Sequence, residues 1–330
     1  MTPKKRVITV LTKGMPDKVP VLCVTQLGIK DTMTAMNAYF PDAHNDAEKM
    51  AKLGSALIEL AELENARIPF CMTILAEAFG CEINFGTDEI TPSIKKHLFP
   101  VDKLEIPGNF LERGRIPIVR DAVKILKSTI GDEYPIIVGI EGPFVLVSQI
   151  FGIEQLMRWC ITDTEKIKEF TKVTTEAIIM YANHILKSGA DIICIPDLAC
   201  DIIDPESFKN LVKIGLKEVA KNIDGIIILH ACGDTTNLLA EIAECGFNGL
   251  SIEEAVDMEK ARSILGKNVI LIGNISAKQT LVVGTPDKVK NETIKALNAG
   301  VDILAPGCGL SPITPLHNIV AMVQAVKEWR

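Results

Sequence analysis

The chain has 330 residues, a net charge of −7 and 48% hydrophobic residues, enough for a large core in one or two domains; we read residues 1–330 as a single domain. No lysine- or arginine-dense run supplies the electrostatic footprint of a nucleic-acid partner or a polyanionic membrane surface. No apolar leader follows Met1-Thr2-Pro3-Lys4-Lys5-Arg6, and nine cysteines, an odd number without secretory context, fit reduced thiols in a cytoplasm.

Thr2-Pro3 fits an N-cap followed by proline in the first turn and opens a helix to about Thr12. Val19 to Val24 is the first strand candidate. Between Asp46 and Ala66 the apolar positions Met50, Leu53, Ala56, Leu57 and Leu60 recur with a helical period. Ile68 to Leu75 reads as a second strand. Residues 82–115 are rich in Pro, Gly and charge and form an excursion from the regular pattern. Val119 to Ile130 is helical and stops at Gly131.

A rhythm then sets in. Strands are predicted at Ile136 to Ile140, Asp191 to Ile195, Ile226 to Leu229, Gly249 to Ile252, Val269 to Ile272 and Asp302 to Ala305. Helices fall between them, opened at Asp163, at Asp204-Pro205, near Thr235, at Asp257 and at Thr285-Pro286; a last one starts at Thr314-Pro315. The most apolar long window, Ile136 to Ile153, is interrupted by Glu141, Gly142 and Pro143. It reads as strand, turn and helix start, with no membrane insertion. About eight strands, each followed by a helix, predict an α/β fold with a parallel sheet closed into a (β/α)8 TIM barrel. The N-terminal helix is an extension of it, and the excursion lies between its second and third strands.

Barrel enzymes carry their chemistry at the C-terminal ends of the strands. Glu141, Asp197, His230 with Cys232, Glu253, Asn274 and Cys308 occupy those ends here. His230 and Cys232 are two residues apart, so extended backbone points both the same way. Imidazole nitrogen and thiolate sulfur are zinc ligands, although a buried histidine beside an ordinary core cysteine has the same spacing. Cys308, closing the eighth strand, can meet the pair across the mouth. Glu253, ending the sixth, is the candidate fourth ligand. Asp234 is placed either to orient His230 or, as the plainer reading, to cap the next helix. His44, His97, His184 and His317 have no partner pattern and read as packing or surface residues.

His-x-Cys after the fifth strand and Cys308 within Pro306-Gly307-Cys308-Gly309-Leu310 resemble the zinc methyltransferases of the uroporphyrinogen decarboxylase superfamily. Gly273-Asn274-Ile275-Ser276, Gly284-Thr285-Pro286 and Thr314-Pro315-Leu316-His317-Asn318 follow the same C-terminal pattern. The resemblance is nearest to the methylcobamide:coenzyme M methyltransferases of methanogens and covers most of the chain. It implies Zn2+ on His230, Cys232 and Cys308, with Glu253 as an exchangeable ligand. It implies a methyl group passed from a methylcorrinoid, carried on a separate corrinoid protein, to a thiol such as coenzyme M, in methanogenesis from methylated compounds. It also places Asp197, Glu141 and Asn274 where they would contact corrinoid or substrate; a cap or loop role is the equal alternative for Asp197 and Glu141. A second relative by chemistry is cobalamin-independent methionine synthase, also a barrel with a His-x-Cys, Glu and Cys site. The decarboxylase itself is a poorer match: its N-terminal signature carries arginines, and Lys18 to Gln26 has none. Two rival readings stay open, a decarboxylase-like lyase that needs no zinc and a non-catalytic corrinoid- or zinc-binding protein with a structural metal.

Overall fold

The structure, a computed structural model, describes residues 1–197 and 203–329. Its strands are β1 (Ala66–Ile68), β2 (Glu82–Asn84), β3 (Ser93–Lys96), β4 (Ile136–Gly139), β5 (Ile192–Asp197), β6 (Ile226–Ala231), β7 (Gly249–Ile252), β8 (Leu271–Ile275) and β9 (Ile303–Pro306). Seven of them form one sheet in the order β1-β4-β5-β6-β7-β8-β9. Every pair in it is parallel, as strands separated by helical crossovers require.

The predicted first strand, Val19 to Val24, shrinks to one parallel bridge between Val21 and Leu304. Pro20 has no N–H to give a ladder, and the Cys23 amide is taken by Asn65 Oδ1 at 2.9 Å. The segment nevertheless joins the two edges of the sheet. Leu22 N donates to Leu304 O (2.9 Å), Leu304 N to Pro20 O (3.0 Å) and Glu64 N to Val21 O (3.0 Å). Asn65 Nδ2 donates to Cys23 O at 3.0 Å. The ring thus closes through hydrogen bonds that only partly form a regular ladder, and the architecture is the TIM-barrel type.

The predicted strand from Ile68 to Leu75 is corrected more heavily. β1 lies earlier and ends at Ile68, before Pro69, which cannot donate to a ladder. Ile74–Phe79 is a helix closed by Gly80 in the left-handed region, φ 115°. The excursion holds β2 and β3 as a small antiparallel pair.

Two hydrophobic clusters show how the barrel is filled. One lies inside the ring: Leu22, Val24, Ile137, Ile192, Cys194, Ile228, Ile270, Ile272, Ile303 and Ala305. Val7, Val10 and Leu11 of the N-terminal helix Pro3–Leu11 join it from the end where the strands begin. Gly249 makes room for them: a Cβ there would lie 3.0 Å from the Leu11 side chain. The second, larger cluster lies between strands and outer helices. It includes Val138, Ile193 and Ile227, which are neighbours in register across β4, β5 and β6, with Phe144, Phe170 and Tyr181. Aromatic contacts fasten the helices there, with Phe151 5.3 Å from Trp159 and 5.1 Å from Phe170 between ring centres. No single helix among the described residues is long and apolar enough to cross a membrane.

Candidate metal centre

Alternation along β6 sets the site. Ile228 faces the barrel interior, so His230 two residues on faces it too, and the chain carries the same sense on to Cys232. His230 is buried, and its Nε2 lies 3.1 Å from Cys232 Sγ. Its Nδ1 lies 3.0 Å from the hydroxyl of Ser251, the residue beside it on β7. The tautomer with hydrogen on Nδ1 donates to Ser251 Oγ and leaves the Nε2 lone pair facing the thiol, the arrangement in which an outer partner orients a metal-ligating histidine.

Glu253 follows β7 directly, and its Oε2 accepts from Gly233 N at 2.9 Å. Asn274 on β8 holds the same loop, its Nδ2 donating to Glu253 O (3.1 Å) and Val256 O (2.8 Å). Cys308 arrives two residues after β9. One ligand atom each from His230, Cys232, Glu253 and Cys308 all lie within 4.8 Å of one another. Strand ends distant in sequence therefore converge on one point, as the barrel predicts.

Electrostatics show what this point lacks. Cys232 donates to Cys308, which holds the Cys308 thiol well below its ordinary value and Cys232 well above. His230 also favours the Cys308 thiolate. Burial, and then the Cys308 charge, raise the Glu253 carboxyl to about 7. Two thiols and a carboxylate so close cannot all ionise beside one another. A divalent cation would take the place of their protons, which is the usual coupling of metal binding to deprotonation. One nitrogen, two sulfur and one oxygen donor suit Zn2+. The residues present fit that ion.

Asp197 ends β5, buried, beside Gly142, whose amide donates to Pro196 O at 2.9 Å. Neither it nor Glu141 belongs to the donor cluster. Glu141 is buried against the backbone amides of Ile74 and Leu75 that start the short helix. Asp234 has no bond to His230; its carboxylate accepts from Thr236 N at 3.1 Å and the Thr236 hydroxyl at 2.6 Å, a local turn just ahead of the short helix Thr236–Leu238, whose cap position is Thr235 and not the expected Asp234. His44 is buried and stacks on Phe40, ring centres 4.2 Å apart. Ser251 and the Gly233 amide were not singled out in the sequence. Ser251 faces its neighbour only once the β6–β7 register is known.

Glu141 has a testable pH signature. Burial raises its carboxyl from 4.5 to about 7. The fold therefore keeps a proton that the unfolded chain has released. That stability is complete below the unfolded value and lost as pH rises towards and past about 7, on the order of 3 kcal/mol in full. Glu141→Gln keeps the neutral shape. Its stability relative to the native chain is expected to rise between pH 5 and pH 8, read from urea midpoints. A difference without pH trend would overturn the assignment.

A cavity of about 400 Å3 opens at the centre, lined by His230, Cys232 and Cys308 together with Arg67, Phe70 and Met72. Thr91 and Pro92 of the excursion reach its wall. The size suits a small molecule. A larger groove, about 670 Å3, lies on the outer helices along Thr164–Lys187 and carries none of the four donors.

The family model described as uroporphyrinogen decarboxylase (URO-D) matches residues 2–329. The chain is 41% identical to Methylcobamide:CoM methyltransferase MtaA of Methanosarcina barkeri over 333 residues, 99% of this chain and 98% of that one. A solved structure, a methyltransferase from Methanosarcina mazei, superposes with TM-score 0.96 at 41% identity, covering 99% of both chains. A B12-independent methionine synthase from Shewanella sp. W3-18-1 shares the fold, with TM-score 0.61 at 15% identity over 94% of this chain and 98% of that one.

Proposed function

Because the chain belongs to the uroporphyrinogen decarboxylase family, we propose that it is a methyltransferase of that family, moving a methyl group from a methylated corrinoid to coenzyme M in methane formation from methylated compounds. The observation that carries this reading is the four-donor cluster, three members of which, His230, Cys232 and Cys308, line a small cavity. It favours a thiol transferase over a decarboxylase, which has no use for two converging thiols. The identity of a relative named for this reaction supports it over a structural metal site.

In this reading His230, Cys232 and Cys308 hold Zn2+ and Glu253 yields its place to the substrate. When bound, zinc lowers the pKa of a thiol so that it is present as thiolate at neutral pH. Ser251 fixes the His230 ring and Asn274 holds the Glu253 loop, so only the Glu253 carboxylate has to shift as substrate enters. Glu253 is the carboxylate placed to take the proton the thiol gives up. Phe70, Met72 and Pro312 wall the cavity and exclude water from the sulfur. The corrinoid is too large for this cavity and would approach over the barrel mouth, carried on a partner protein. The thiolate attacks the methyl carbon in line; the new S–C bond forms as the C–Co bond breaks, and its electron pair stays on cobalt. The barrel's task is alignment.

The test is the methylcobalamin absorbance on mixing with zinc-loaded protein and coenzyme M, with homocysteine in parallel. Demethylation with coenzyme M is expected. No turnover with either thiol, at one zinc per chain, would overturn the reading.

A further inference from the structure

The groove of about 670 Å3 on the outer helices lies between two ridges of side chains. One runs along the helix Thr164–Lys187 as Lys168, Lys172, Glu176 and Met180, each four residues from the last. The other runs along the helix Lys213–Asn222 as Ile214, Glu218 and Asn222. Side chains at that spacing stack on one face of a helix, and the groove between such ridges accepts a ridge from another helix. The two helices run the same way, side by side. Gly215 sits against Thr171 and Thr175, where a Cβ would lie 3.1 Å from a side-chain atom of each. Further along, Asn183 Nδ2 donates to Asn222 O at 3.0 Å. The floor is therefore made of small residues, and the larger apolar ones stand up beside it. Ile214 is 59% exposed and Met180 41%. Exposed apolar surface rimmed by polar groups marks an interface.

The charges along the groove say what covers it. Lys168 and Lys172 lie towards the start of the long helix, and Glu176 and Glu218 lie beyond them. Lys168 is matched by Glu165 at 2.7 Å. Lys172 and Glu176, a turn apart, have no ion-pair partner among the described residues. A strip that is basic at one end and acidic at the other complements itself when turned end for end. That is the requirement of a two-fold interface, in which the same patch serves both sides. An axis crossing the long helix between these residues sets Lys172 against Glu176 of a second copy, and symmetry repeats the pair. Ile214 is level with that axis, because Gly215 beside it rests on Thr171 and Thr175.

We propose that this groove is the contact between two copies of the chain in a symmetric dimer. Around the axis Ile214 of each copy meets the other, and the Lys172–Glu176 pairs flank it. The groove shares no lining residue with the cavity at the metal donors, so pairing leaves both cavities open. The proposal does not depend on the methyl-transfer reading.

Analytical ultracentrifugation of the full chain over a concentration series tests it. The native chain is expected to pass reversibly from monomer to dimer with Kd on the order of 1–100 µM, as suits a contact of modest size. Ile214→Glu should weaken the dimer by more than about 10-fold, since it sets like charges together at the axis. Lys172→Glu and Glu176→Lys should each weaken it by on the order of 10-fold or more for the same reason. The two combined restore opposite charges across the axis and should bring Kd back to within about 3-fold of the native value, a coupling that independent sites do not show. Circular dichroism checks each variant; should Ile214→Glu not fold, the charge reversals, both at exposed positions, decide the matter alone. A native chain that stays monomeric to about 500 µM, far above the expected Kd, would overturn the proposal. So would a dimer indifferent to these substitutions, or single reversals that their combination does not rescue.

Discussion

Cys308→Ala is expected to fold and yet retain almost no zinc after dialysis against a chelator. Methylcobalamin demethylation should fall by more than about 10²-fold. Loss of an outer partner of a metal ligand typically costs 10–100-fold in affinity or activity, and Cys308 is itself one of three donors supplied by fixed positions. Its loss should exceed that range. The fold should survive because Cys308 is half-buried at the barrel rim, two residues past β9, and outside both hydrophobic clusters. Metal content by atomic spectroscopy and a near-native thermal melt check both halves. One zinc per chain with undiminished turnover would show that the four-donor cluster is not the centre.

Glu253→Gln separates an exchangeable ligand from a firm one. A catalytic zinc keeps three protein ligands and an open position, while a structural one is closed by four. If Glu253 yields to the substrate, the glutamine variant should hold close to one zinc per chain. Its turnover should drop by roughly 10²–10⁴-fold, the usual contribution of a positioned proton acceptor. Gly233 N still finds an acceptor in the amide oxygen, so the loop should keep its place. Loss of zinc together with activity would instead make the site a closed four-ligand one and favour the structural reading.

Sequence periodicity carried much of this centre. The alternation from Ile228 to His230 to Cys232 is intrinsic to extended backbone, so two candidate ligands fall on one face without any knowledge of packing. Helix starts were legible for a similar local reason. Thr2, Asp163, Asp204 and Thr285 each accept from a backbone amide of the first turn, a bond that depends only on adjacent residues. Ile68 to Leu75 misled because a short apolar run has no period that separates strand from helix. Arg67 was invisible for the opposite reason. A lone arginine in Ala66-Arg67-Ile68 has no local mark of an inward face, and only the glycine across the sheet at 139 reveals where its side chain goes. Asn274 stands at the strand end where the pattern put it, but its amide holds the Glu253 loop, a pairing set by tertiary contact.

The N-terminal helix closes the end of the barrel away from the donors, where Val7, Val10 and Leu11 pack into the filled interior. On the proposed reading, a corrinoid protein seated on the mouth would then be a stopper as well as a donor. The thiol must already be inside when that partner arrives, and the methylated product must wait until it departs. The order of binding and release would be imposed by the shape of the container, with the exchange of partners as the clock of each turnover.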